Sequence, residues 1–143
     1  MEIKFAKTVG EINFCKEVIL GFRPNLEPET FADQILCMMK SEYFKLAYIP
    51  DEGGTKAAAF IGYRTLSTLR TGKMIYIDDL YTDEAHRGKG YAGALLDLVT
   101  KEAAQIGAPS VQLDSGYMLH DAHRLYLNKG YFLACNHFAK LIA

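Results

Sequence analysis

Between Met74 and Leu113 the chain reads as strand, glycine-rich loop, helix and strand in immediate succession. Met74-Ile75-Tyr76-Ile77 is an apolar run of strand character. Asp78 to Gly93 is polar at first and then carries glycines at 88, 90 and 93. The long run to Ile106 places Leu95, Leu96, Val99, Ala103 and Ile106 at helical spacing, and Gly107-Ala108-Pro109 stops it with a left-handed cap and a proline. Val111 and Leu113 alternate into another strand. Two strands joined by a helical crossover must lie parallel, with a right-handed connection.

The rest of the chain supplies antiparallel pieces. Ile3 to Lys7 alternates as a first strand. Thr8-Val9-Gly10-Glu11 has the form of a capping box, opening a helix that carries Phe14, Cys15, Val18, Ile19 and Phe22. A second helix starts near Pro28 and aligns Phe31, Ile35, Met38 and Met39. Tyr43 to Ile49 and Lys56 to Thr65 form a hairpin through Pro50-Asp51-Glu52-Gly53-Gly54. Leu66 to Gly72 reads as a loop and Lys73 to Tyr81 as the fourth strand. Asp121 is placed to cap a last helix ending at Gly130, and Tyr131 to Ile142 reads as extended, broken into two strands. These pieces predict an α/β (α+β) three-layer domain spanning residues 1–143, its mixed sheet of six to seven strands flanked by about four helices.

Bulk properties exclude several classes. With 143 residues and 50% hydrophobic content a proper core forms without staples. The net charge of −1 offers no footprint for nucleic acid or an anionic membrane. No run reaches membrane-spanning length, and the N-terminus lacks the pattern of a signal peptide. The three cysteines, Cys15, Cys37 and Cys135, fit reduced thiols in a cytoplasmic protein.

The glycine-rich loop predicts an anion site. Gly88 and Gly90 let the backbone approach a ligand closely, and the first N–H groups of the following helix have no partner within it. Arg87 and Lys89 add charge, so a phosphate or pyrophosphate fits. Gly88-Lys89-Gly90 lacks the hydroxyl that a P-loop uses for magnesium. Gly88-x-Gly90-x-x-Gly93 satisfies the dinucleotide fingerprint, but Thr82 to Arg87 separates it from its strand, and the remaining chain is too short for a second mononucleotide half. Arg87-Gly88-Lys89-Gly90-Tyr91-Ala92 also fits Arg/Gln-x-x-Gly-x-Gly/Ala, and Ala122 to Tyr131 fits Ala-x-x-x-Tyr-x-x-x-Gly-Phe/Tyr. With both motifs at this separation the chain resembles the GNAT superfamily of N-acetyltransferases, in particular its small bacterial single-domain members.

The resemblance implies acetyl-CoA as cosubstrate. It assigns the phosphates to the backbone of Arg87, Gly88, Lys89, Gly90, Tyr91, Ala92 and Gly93. It assigns carbonyl polarisation to a main-chain N–H near Leu80 or Tyr81, where a bulge splays the fourth and fifth strands. It gives Tyr126 the role of general acid towards the departing thiolate; a core aromatic is the alternative. For the proton acceptor, Asp78 and Asp79 are the candidates. Adjacent strand residues point to opposite faces, so at most one should face the acceptor, and pairing with Arg64 or Arg87 is the structural alternative. His120 is the next candidate base and a chain of water molecules a further route. Leu119 and His120 stand where the family pattern has Asn.

No metal is implied: His120-x-x-His123 has no third ligand in a recognised pattern. The acceptor pocket should form from the first two helices, the loop Leu20 to Thr30 and the fourth strand. Glu27 and Glu29 favour a cationic amine there, and Arg23 a carboxylate or phosphonate. The expected function is acetyl transfer to a primary amine of a small molecule. A protein or peptide acetyltransferase and a non-catalytic acyl-CoA-binding module are the alternatives. The apolar C-terminal run predicts a homodimer.

Overall fold

Thr8 opens the first helix as its pattern requires. Its hydroxyl accepts the Glu11 N–H at 3.2 Å, and the Glu11 carboxylate accepts the Thr8 N–H at 3.1 Å. In the computed structural model, which describes residues 1–143, this helix is two: α1 (Val9–Phe14) and α2 (Lys16–Phe22). The Cys15 N–H bonds back only three residues, to the Ile12 carbonyl at 2.9 Å, which tightens the turn and ends α1. The helix expected near Pro28 is α3 (Phe31–Ser41), preceded by a turn in which the Phe31 N–H reaches the Glu27 carbonyl at 2.9 Å.

Five strands form one sheet in chain order: β1 (Lys4–Phe5), β2 (Lys45–Pro50), β3 (Ala57–Thr68), β4 (Gly72–Thr82) and β5 (Ser110–Leu113). The first four pair antiparallel, and β5 lies parallel to β4. The crossover between them is α4 (Tyr91–Gln105). Gly107, at φ +72°, ends it: the Ala108 N–H bonds to Ala103 at 2.9 Å and the Gly107 N–H to Ala104 at 3.3 Å, the paired bonds of a Schellman cap. The expected loop Leu66 to Gly72 is shorter than read, because Ser67 pairs with Lys73 and Thr68 with Gly72.

Side-chain parity along β3 sets the two faces. Phe60 meets Phe22 of α2, ring centroids 6.2 Å apart, while Tyr63, of opposite parity, donates its hydroxyl proton to Glu102 of α4. Buried Ile12, Val18, Ile19 and Phe31 fill the first face; Leu95, Leu96 and Val99 fill α4's contact with the other.

The chain divides into two compact units, Met1–Leu113 and Asp114–Ala143. The second holds α5 (His120–Asn128). Leu119 occupies its N-cap position and Asp121 lies in the first turn, so Asp121 does not cap it; it is placed to favour the helix dipole instead. Tyr131 to Ile142 forms no strand, since an extended segment needs a partner for its N–H and C=O groups and this one has none in a ladder. The sheet therefore has five strands where six to seven are expected, and five α-helices where about four are expected, the split of the first accounting for the extra one.

Candidate active site

The register between β3 and β4 slips beside the two aspartates. Gly62 lies opposite Asp79 and Tyr63 opposite Ile77, so Asp78 is an extra residue on β4: a β-bulge. Pairing with β5 stops at Ile77, opposite Leu113. From Asp78 to Thr82, β3 is the one strand that pairs with β4. Alternate residues there turn N–H and C=O groups away from β3, and no β5 residue is registered opposite them. Leu80 and Tyr81 belong to this open stretch. The Tyr81 ring is pinned by stacking on Phe22, centroids 5.1 Å apart.

The bulge also overturns the expectation that adjacent carboxylates face opposite sides. Asp78 makes a two-bonded pair with Arg64, at 3.0 and 2.7 Å, and Arg64 lies 5.6 Å from the Phe44 ring. Asp79 Oδ2 lies 3.2 Å from where a Gly62 Cβ would stand, and that same point is 2.5 Å from Phe44. Gly62 and Arg64 share a face of β3, so both carboxylates converge on the side that carries Phe44. The interior glycine of β3 is the sequence signal that marks such a site.

The two acids differ. Both oxygens of Asp78 are held by Arg64, which Glu42 also approaches at 3.3 Å. Burial raises the Asp78 pKa above the usual carboxylate value; the Arg64 guanidinium opposes this, and the nearby Asp79 and Glu42 charges add to it. Asp79 accepts from Arg23 Nε through Oδ1 alone, at 2.7 Å. Arg23 also donates to the Asp78 carbonyl at 3.1 Å and lies over the Phe22 ring at 4.1 Å. Neither acid pairs with Arg87, whose Nε donates to the Thr82 carbonyl at 3.1 Å.

Asp79 and Arg23 line a cavity of about 230 Å³ closed by α2, α3 and the loop between them, with Ile19, Phe31, Ile35, Met38 and Phe60 among its walls. This is where the acceptor pocket is expected. Sequence reasoning assigned most of these apolar residues to the core and did not foresee that Arg23 reaches Asp79, a contact across 56 positions of chain. A larger groove, of about 530 Å³, beside the β2–β3 turn shares no residue with this cavity.

Beyond β4 a single 3-10 turn (Glu84–His86) leads into Arg87–Gly90. Gly88 and Gly90 both hold φ +80°, a region that disfavours any side chain, and the space about each is open. Gly90 is the N-cap residue of α4 and brings no capping side chain. The first intrahelical bond runs from the Ala94 N–H to the Gly90 carbonyl at 3.0 Å, so the N–H groups of Tyr91, Ala92 and Gly93 are left for a ligand. Lys89 extends to Glu52 at 3.3 Å. Open glycines, an uncapped fifteen-residue helix and a stretch of β4 that β5 leaves unpaired fit a phosphate-bearing thioester carrier.

Tyr126 and His120 stand in the second unit, both on α5. The Tyr126 hydroxyl is largely desolvated, which raises its pKa. The spacing of its motif has a structural cause: the Tyr131 N–H bonds to the Tyr126 carbonyl at 3.0 Å, the Gly130 N–H bonds to Leu127 at 3.1 Å, and Gly130 holds φ +91°. This is a second Schellman cap, closed by the Tyr126 and Tyr131 rings at 5.9 Å. His120 is exposed. His123 bonds through Nε2 to the Gly116 carbonyl at 2.8 Å, as a hydrogen-bonding histidine. No group of three His, Cys, Asp or Glu side chains is arranged to hold a metal ion. Cys15 is fully buried and its thiol is pushed up to about 12, which removes it from nucleophilic chemistry.

A fourth strand that bulges and then parts from the fifth, beside a glycine-entered helix, is the arrangement of an acyltransferase enzyme. The chain belongs to the acetyltransferase (GNAT) family, whose model matches residues 13–131. An uncharacterized N-acetyltransferase, YhdJ, of Bacillus subtilis (strain 168) is 32% identical over 113 residues, 78% of each chain. Among solved structures, a ribosomal-protein-alanine N-acetyltransferase from Brucella melitensis biovar Abortus 2308 superposes with TM-score 0.82 at 16% identity, over 99% of this chain and 100% of that one. An aminoglycoside acetyltransferase, HMB0005, from an uncultured soil metagenomic sample gives TM-score 0.74 at 20% identity, over the whole of both chains. These two likenesses concern the fold. The family implies acetyl-CoA as the acetyl donor. No helix is long and apolar enough to cross a membrane.

Proposed function

We propose that this protein transfers the acetyl group of acetyl-CoA to the primary amine of a small molecule, by direct attack within a ternary complex. One observation carries the reading: a small, mostly apolar cavity has Asp79 in its wall, on the β4 stretch that β5 leaves unpaired. At about 230 Å³ it lies below the usual range for drug-sized ligands and suits a compact acceptor.

The carrier supplies an activated acetyl thioester. The chain's own groups do the rest. The amides of Tyr91, Ala92 and Gly93 and the φ-positive glycines hold the phosphates. A main-chain N–H of Leu80 or Tyr81 polarises the thioester carbonyl. Asp79, with Oδ2 uncommitted, receives the ammonium and draws off its proton directly or through water. Asp78 is the less accessible base because Arg64 occupies both its oxygens. Tyr126 protonates the leaving thiolate; its raised pKa keeps the phenol protonated at neutral pH. His120 is the alternative base.

The test is thiol release from acetyl-CoA over amino acids, polyamines, aminosugars, aminoalkylphosphonates and N-terminal peptides. Turnover of small amines is expected. Turnover of peptides alone would replace this reading with a protein acetyltransferase, and binding of acetyl-CoA without any turnover would leave a binding module.

A further inference from the structure

The acceptor cavity has two charged side chains in its wall, Arg23 and Asp79, one of each sign; every other lining group is apolar or a neutral amide. Resting on the small-amine reading above, we propose that the acceptor is a free α-amino acid with an apolar side chain, its ammonium on Asp79 and its α-carboxylate on Arg23.

The argument begins with donors and acceptors left over. Arg23 spends its Nε–H on Asp79 Oδ1 and an NH2 proton on the Asp78 carbonyl. No protein acceptor takes its other N–H groups, and a planar guanidinium presents them as a fork that matches a carboxylate. Phe22 beneath the guanidinium, at 4.1 Å, fixes its plane. Asp79 keeps Oδ2 without a protein donor, as required to receive an ammonium. The Arg23–Asp79 contact places these two unfilled positions side by side, and an α-amino acid is a compact amine that carries both complementary charges as substituents of one carbon.

The walls decide the rest. Ile19, Phe31, Ile35, Met38 and Phe60 offer nothing for hydroxyls or further cations to bond. An aminosugar would bring more hydroxyls than the two wall amides, Asn25 and Gln34, can bond. A polyamine would bring a second ammonium with no second carboxylate to meet it. A peptide N-terminus has no α-carboxylate for Arg23. An aliphatic or thioether side chain loses only its contact with water.

The experiment measures kcat/KM for acetyl transfer to L-leucine, L-methionine and L-phenylalanine. It runs beside L-leucinamide, L-methioninamide, isoamylamine, spermidine and kanamycin, with calorimetric titration of L-leucine and L-methionine into the CoA-saturated protein. Free amino acids should exceed their amides by about 10- to 100-fold, the range of a lost charge-assisted hydrogen-bond pair. Arg23→Gln should abolish that preference, bringing the free-acid to amide ratio of kcat/KM to about one whatever the common fall in turnover, and Arg23→Lys should restore part of the ratio. Unchanged acetyl-CoA affinity in both variants would show the protein folded. Equal or better turnover of amides, spermidine or kanamycin would overturn the inference and leave the small-amine reading standing. Absence of amino-acid binding to the CoA-saturated protein would also overturn it. Failure of every amine, with acetyl-CoA still bound, would sink both.

Discussion

Asp79 and Tyr126 are each tied to a structural neighbour, so their chemistry must be separated from their packing. For Tyr126 the separation is clean. The Schellman cap uses its carbonyl and its ring, whereas acid catalysis uses only its hydroxyl. Tyr126→Phe should therefore keep the melting temperature and the acetyl-CoA affinity while kcat falls by ~10²-fold or more, the range for general acid catalysis. Burial favours the neutral phenol, so its folded ionisation lies above that in the unfolded chain. Stability linked to it is intact at neutral pH and is lost as pH climbs through the raised value. The rate should follow the same sense, flat through neutrality and falling on the alkaline side, and Tyr126→Phe should lose that fall. Near-normal turnover in the variant would leave Tyr126 as a cap residue. Asp79→Asn removes the ammonium's counter-charge and the proton acceptor together. Steady-state kinetics should show a lower kcat and a higher KM for the amine, with KM for acetyl-CoA nearly unchanged. An Asp79→Asn enzyme with normal kcat would transfer the base to His120 or water.

At the scale of elements, the bulge on β4 and the glycine entry to α4 build the site, the first facing Gly62 of β3 and the second passing through Gly90. A Gly62 Cβ would stand 2.5 Å from Phe44 Cζ, so Gly62→Ala must displace a buried ring and the Asp79 carboxylate beside it. Overpacking of this kind destabilises by about 1–3 kcal/mol. Thermal denaturation should register a drop of about 3 °C per kcal/mol, with acceptor KM raised more than acetyl-CoA KM. Gly90→Val meets a different obstacle: the space is open, but φ +80° strains any L-residue by roughly 1–2 kcal/mol, and its side chain enters the region where phosphate should lie. Calorimetry should find acetyl-CoA affinity lowered more by Gly90→Val than by Lys89→Ala, whose charge is exposed and screened. Equal affinities would make the loop merely structural. These contrasts explain what the sequence disclosed. The Thr8 capping box, the Gly107 stop and the β4–α4–β5 crossover are written in contiguous residues, so pattern alone reveals them. The bulge at Asp78 depends on a register with β3, and the Arg23–Asp79 pair on chain 56 positions away, so neither is visible locally. Apolar lining residues of the cavity have the same periodicity as core residues, and only the fold distinguishes them.

For the whole molecule, assembly turns on the C-terminal run. The segment reads as extended and apolar-rich; no strand forms, and Phe132, Leu133, Phe138, Leu141 and Ile142 stand 80–94% exposed. Isolated exposed apolar residues are ordinary, but five within eleven positions of one segment make a patch that seeks cover. A net charge of −1 gives almost no electrostatic repulsion between copies. We therefore expect a homodimer in which this segment is covered by the second chain. Light scattering at micromolar concentration should give twice the chain mass, and high salt should leave that mass unchanged, since apolar contact rather than ion pairing would hold the copies together. Leu141→Asp with Ile142→Asp should return the protein to a monomer without altering the circular dichroism of the sheet and helices. A monomeric mass for the unmodified chain would overturn the expectation, and would leave the apolar run exposed for some other contact.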